Sequence, residues 1–147
     1  MMRTLTRVLL LCAGSAALLP AGAACGTFST VSVVFGSYDS LSGRSLDSAG
    51  SVTVSCDVGD SFSIALSSGQ GTLLGRQMVG GSNVMMYNLF TDAQRSVIWG
   101  DGTNGTVVVN GSGSGTSVIY TVYGRIPGGQ NLPAGAYSDS IVVTLNF

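Results

Sequence analysis

Hydrophobic and polar residues alternate along this chain in short runs, and the period is two. Residues 138–147 show it best. Ile141, Val143, Leu145 and Phe147 fall on one face, while Ser140, Thr144 and Asn146 fall on the other with Val142. Such alternation marks a strand with one face buried. The final residue, Phe147, is expected to be an apolar anchor. Residues 117–126 predict the preceding strand, joined to the last by a Gly/Pro-rich turn. Further strands are predicted over residues 30–35, 51–56, 62–66 and 85–90. In the second, Val52, Val54 and Cys56 share a face; in the third, Phe62, Ile64 and Leu66 do. Residues 96–99 and 106–109 are short candidates on either side of a Gly-Asp-Gly turn.

No segment carries a convincing 3.6-residue apolar period, and none has a helix start and stop. Short strands separated by Gly, Ser and Asn predict an all-β chain folded as a β-sandwich. Residues 110–115, Asn-Gly-Ser-Gly-Ser-Gly, read as a flexible loop. The 22 glycines lack a three-residue period, which excludes collagen. There is no internal repeat and no sign of a second domain.

The N-terminus reads differently. Arg3 and Arg7 form a basic start, residues 8–19 an apolar middle too short for a membrane span, and residues 21–24 a run of small residues. Residues 1–24 are thus expected to be a Sec-type signal peptide, cleaved after Ala23 or Ala24. Lipidation of Cys25 is disfavoured, because Gly22 stands where a Leu is expected upstream. The mature domain is then residues 25–147.

That domain has four Arg against seven Asp, a net charge of −3, and the chain has no His. A charge-poor, mildly acidic domain lacks the basic footprint that nucleic acid requires. It also lacks the polybasic stretch of an anionic-membrane binder. Cys12 leaves with the signal, so Cys25 and Cys56 remain as a pair in an exported chain. A disulfide is the favoured reading over a free thiol, which nothing nearby would activate.

Candidate chemistry is sparse. Without His there is no imidazole base and no usual zinc triad. Gly111-Ser112-Gly113-Ser114-Gly115 matches a nucleophile-elbow string, but inside a Ser/Gly loop. Asp101 is a carboxylate in an Asp-Gly turn, and no acidic cluster suited to calcium surrounds it. We therefore expect no catalytic residue, no metal and no cofactor. Trp99, the single Trp, is expected to pack between the sheets; a surface ligand contact is the alternative.

Ordered along the chain stand Cys25, Phe35-Gly36-Ser37-Tyr38-Asp39, the segment from Leu46 to Cys56, Arg76-Gln77-Met78, the segment from Tyr87 to Arg95, Trp99-Gly100-Asp101-Gly102, Val122-Tyr123-Gly124-Arg125-Ile126, Ala134-Gly135-Ala136-Tyr137-Ser138-Asp139 and the terminal Val143-Thr144-Leu145-Asn146-Phe147. This pattern resembles the spore coat protein U domain, shared with Csu-type subunits of archaic chaperone–usher pili. The resemblance covers nearly all of residues 25–147. It implies a bacterial surface protein with an immunoglobulin-like β-sandwich that lacks its last strand. A periplasmic chaperone would lend a strand, and an outer-membrane usher would exchange it for the N-terminal strand of another pilus subunit. The fibre would serve adhesion and biofilm formation. The resemblance also implies that Cys25 and Cys56 form the family's disulfide. Ile141, Val143, Leu145 and Phe147 then become the edge that pairs with a chaperone or donor strand. Trp99 and Tyr87 match structural positions, and the family is not enzymatic.

One departure stands out. Cleavage before Cys25 leaves at most one residue ahead of it, whereas a donor segment needs about ten to span a strand. The expectation is a subunit that receives a strand without giving one, as at a fibre's cap or in an accessory coat-type domain. Two other readings are a self-sufficient spore-coat or surface-coat protein, and a tip adhesin domain that grips a sugar or a surface.

Overall fold

The computed structural model describes residues 4–10, 17–18 and 25–147, the first two segments by their backbone. Cys12 and the expected cleavage positions Ala23 and Ala24 lie outside the described residues. Two sheets face each other. One has the order β1-β10-β5-β8, formed by β1 (Thr4–Leu10), β5 (Ser61–Leu66), β8 (Val109–Ser112) and β10 (Ser140–Asn146). The other has the order β2-β3-β4-β9-β7-β6. It contains β2 (Ala17–Leu18), β3 (Cys25–Val31), β4 (Leu46–Cys56), β6 (Arg76–Gly80), β7 (Asn83–Phe90) and β9 (Ser117–Ile126). No helix occurs among the described residues.

The alternation in sequence is the alternation in burial. Phe62, Ile64 and Leu66 of β5 and Ile141, Val143 and Leu145 of β10 form the inner face of the first sheet. Phe28 of β3, Val52 and Val54 of β4, Met78 of β6, Met85, Tyr87 and Leu89 of β7 and Val122 of β9 meet them from the second. Every ladder between the strands is antiparallel.

Some expected elements come out differently, and one strand was not expected. The first mature strand is Cys25–Val31 instead of 30–35, because it pairs with β4 from its first residue, Cys25 opposite Cys56. Past Val31 the chain bends away across Gly50, where a Cβ would run into the Val31 carbonyl. Residues 96–99 make only bridges, Phe90 to Ile98 and Trp99 to Val107, and the second short candidate starts late: its ladder, β8, begins at Val109 and runs to Ser112, into the stretch read as a flexible loop. The Asp92 carboxylate takes the amides of Ser96 and Val97 for itself and curls the chain into a loop. Finally, β6 carries no clear alternation in sequence, because its first inward position is Arg76.

Candidate strand-acceptor edge

The edge is built from β10. On one side β10 pairs with β5, Val143 opposite Leu66 and Leu145 opposite Ile64. On the other side its partner is β1, in a seven-residue register from Thr4 opposite Asn146 to Leu10 opposite Ser140. Ile141, Val143 and Leu145 lie fully in the core, and Phe147 packs half-buried against it. In the facing sheet β3 is held by β4 on one side and by the two residues of β2 on the other. Both partners on the outer sides, β1 and β2, belong to the segment expected as a signal peptide. Without that segment, the outer side of β10 would have no ladder.

A buried polar cluster fixes where β10 begins. The Asp139 carboxylate, itself buried, accepts from the Tyr87 hydroxyl at 2.6 Å, the Gln70 amide at 3.0 Å and the Ser140 amide at 2.8 Å. Gly69 is required beside it: its φ is +62°, and a Cβ there would collide with the carboxylate. Ser67 binds Val142 twice, its hydroxyl accepting from the amide and its own amide donating to the carbonyl. The guanidinium of Arg76 then ties this corner to the opposite sheet. It donates to the Ser67 carbonyl through Nε and Nη2, to the Trp99 carbonyl at 2.7 Å and to Asn88 Oδ1 at 2.6 Å. Burial lowers the Arg76 pKa to about 10, partly offset by the nearby Tyr87 and Asp139, so the group stays a cation at neutral pH. Burial, and then the bond to Asp139, push the Tyr87 phenol well above the usual range. An isolated buried charge would be costly, but every nitrogen of this one has an acceptor.

The model of the Spore Coat Protein U domain matches residues 13–144. The chain belongs to the Spore Coat Protein U domain family. It is 33% identical over 148 residues to Protein U of Myxococcus xanthus, covering 91% of this chain and 79% of that protein. Among solved structures it is similar to a chain of the CsuC-CsuE chaperone-tip adhesion subunit pre-assembly complex, from the archaic chaperone-usher Csu pili of Acinetobacter baumannii. The TM-score is 0.55 at 17% identity, over 82% of this chain and 40% of that longer one. At that identity the likeness carries the fold, an immunoglobulin-like sandwich.

In this Spore Coat Protein U domain a disulfide joins Cys25 to Cys56, linking β3 to β4 across 31 positions. Trp99 is only 1% exposed, and its indole N–H donates to the Ile64 carbonyl at 2.9 Å. A surface ligand contact at Trp99 is therefore corrected: the ring spans the two sheets. Asp101 closes a turn, its Oδ1 accepting from the amide and hydroxyl of Thr103, and those bonds lower its pKa. Among the described residues no group of three or more Cys, Asp or Glu could hold a metal ion.

Sequence reasoning missed the role of Asp139 and of Gln130. The Gln130 side chain pairs with β7 as a strand would, its Oε1 accepting from the Met86 amide and its Nε2 donating to the Met86 carbonyl. It also missed a pocket of about 690 Å³ between residues 33–41 and 132–138, floored by Met78, Met85 and Ile126. The apolar run of β10 was the visible signal; the residues around it are single polar side chains with no periodicity.

Proposed function

We propose that this domain is an exported structural subunit of a bacterial surface fibre, completed by a strand from another chain laid along β10. One observation carries the reading: β10 takes a seven-residue antiparallel partner on its outer side, and that partner comes from the segment expected to be cleaved. Removal leaves a row of unpaired main-chain groups backed by Ile141, Val143 and Leu145. Such an edge aggregates unless it is filled. β-Strand addition fills it, with main-chain bonds for affinity and side-chain alternation for register. The partners are a periplasmic chaperone first, then, through an outer-membrane usher, other pilus subunits. The protein then resides in the periplasm and afterwards at the cell surface, where the fibre serves adhesion and biofilm formation.

The test is to export the chain with and without the chaperone of a chaperone–usher system. The reading expects soluble monomer only in complex with the chaperone, and loss of capture when residues 145–147 are deleted. Soluble, folded monomer in the chaperone's absence supports a second reading, a self-sufficient coat protein. That alternative draws on the more extensive sequence likeness, which is to Protein U.

A further inference from the structure

The ladder along β10 has a fixed end. Two residues before Ser140, Ser138 turns to the opposite sheet: its amide donates to the Val79 carbonyl at 3.1 Å and its carbonyl accepts from the Val79 amide at 2.8 Å. Asp139, between them, spends its carboxylate on Tyr87, Gln70 and Ser140. An incoming strand can thus pair with main chain only as far as Ser140. Beyond that point the surface changes from an edge to a hollow. Residues 132–138, which lead into β10, form one wall, and residues 33–41, which follow β3, form the other. The pocket is therefore lined by the chain just before β10 and the chain just after β3. Its floor of Met78, Met85 and Ile126 and its Phe35 wall are apolar. The two tyrosine hydroxyls that line it are already engaged, Tyr38 with the Pro127 carbonyl and the Gln130 amide, Tyr137 with the Pro133 carbonyl.

We propose that this pocket anchors the strand-donating chain through an apolar side chain placed two to four residues past the one opposite Ser140. The inference rests on the strand-acceptor reading and deepens it. The direction is set by β1, which runs from Asn146 towards Ser140 and so points a continuing chain at this end of the domain. At about 3.3 Å per residue, two to four residues reach positions level with Ala136 to Ser138 on the pocket wall. The partner's recognition sequence then has two parts: an alternating segment of seven residues read by the edge, and one bulky apolar residue read by the pocket.

The test uses the full-length precursor, exported and processed, with a short linker and a donor strand added after Phe147. A seven-residue donor has Ile at the positions opposite Leu145, Val143 and Ile141. A longer donor adds four residues with Phe at the third, and a control carries Ser there. The Phe donor is expected to raise the thermal midpoint by about 5 °C over the seven-residue donor. The Ser control should add nothing, and Ala136→Trp, on an exposed part of the wall, should abolish the gain while leaving the seven-residue donor's effect intact. Stabilisation by the seven-residue donor with no further gain from Phe overturns the pocket assignment and leaves the edge reading standing. No stabilisation by any donor overturns both.

Discussion

The hydroxyl of Tyr87, on β7, donates to the carboxylate of Asp139 at 2.6 Å, and so binds the first residue before β10 to the opposite sheet. Both groups are buried. The edge proposed to receive a strand is therefore held at its start by the core, while its far end runs on to Phe147.

Replacing Tyr87 with Phe keeps the ring and its edge-on contact with Phe35, but leaves Asp139 with one donor fewer. The expected cost is about 1–2 kcal/mol at pH 7, measured by urea unfolding. The pH dependence has a definite sign. The folded state holds the phenol proton more tightly than the unfolded chain, which releases it near the ordinary value of 10. This contribution is complete below pH 10 and declines above it, by up to about 1.4 kcal/mol per pH unit. Arg76, lowered to about 10, acts in the opposite direction, so the wild-type-minus-variant difference is the quantity to follow. It should shrink between pH 9 and pH 11; a constant difference refutes the assignment.

Arg76 satisfies three oxygen acceptors on three segments with one planar group. A lysine brings a single ammonium, which cannot reach Ser67, Asn88 and Trp99 together. Arg76→Lys is expected to destabilise the domain by about 3–5 kcal/mol, because a buried charge is left poorly matched and carbonyls go unbonded. Hydrogen exchange should show the largest loss of protection around residues 67–69 and 99–100. A loss spread evenly over both sheets would mean that Arg76 acts through packing alone.

The disulfide closes a loop of 31 positions across the β3–β4 pair. On the chain-entropy model its removal costs about 3–4 kcal/mol. The Cys25→Ser, Cys56→Ser double variant is expected to lose that much stability and to accumulate as aggregate on export. β3 lies at the side of the sandwich proposed to receive a strand, so pull-down by the chaperone of a chaperone–usher system should weaken in parallel. Unchanged stability in the reduced wild-type chain contradicts the prediction.

What was legible in the sequence was whatever repeats along one strand. Val52 and Val54, Phe62 and Ile64, Ile141 and Val143 each announce a buried face by local alternation, and each is buried. The sandwich followed from that. What was not legible depends on residues far apart in sequence. Arg76 gives no local sign of burial, yet is fully buried, because its acceptors come from positions 67, 88 and 99. Residues 96–99 carry an apolar pair, but the side chain of Asp92 competes for their amides. The pocket is formed by two loops nearly a hundred residues apart, neither of which has a period.

Gln130 offers the most local test of how side chains stand in for strands here. Its amide group meets the Met86 amide at 2.7 Å and the Met86 carbonyl at 2.8 Å, and it also donates to the Pro127 carbonyl at 3.1 Å. β9 pairs with β7 only over Asn88 to Phe90, so Gln130 continues that ladder by one rung. Gln130→Glu preserves shape but replaces both donors with a carboxylate oxygen facing two carbonyls. At pH 7 the expected loss is about 1 kcal/mol, given the partial exposure of the site. Below about pH 4 the glutamic acid is protonated and can donate one of the missing bonds, so the deficit should narrow. Urea midpoints of wild type and variant at pH 7 and pH 3 decide it. A deficit that is equal at both pH values would show that the rung contributes through packing, not through its hydrogen bonds.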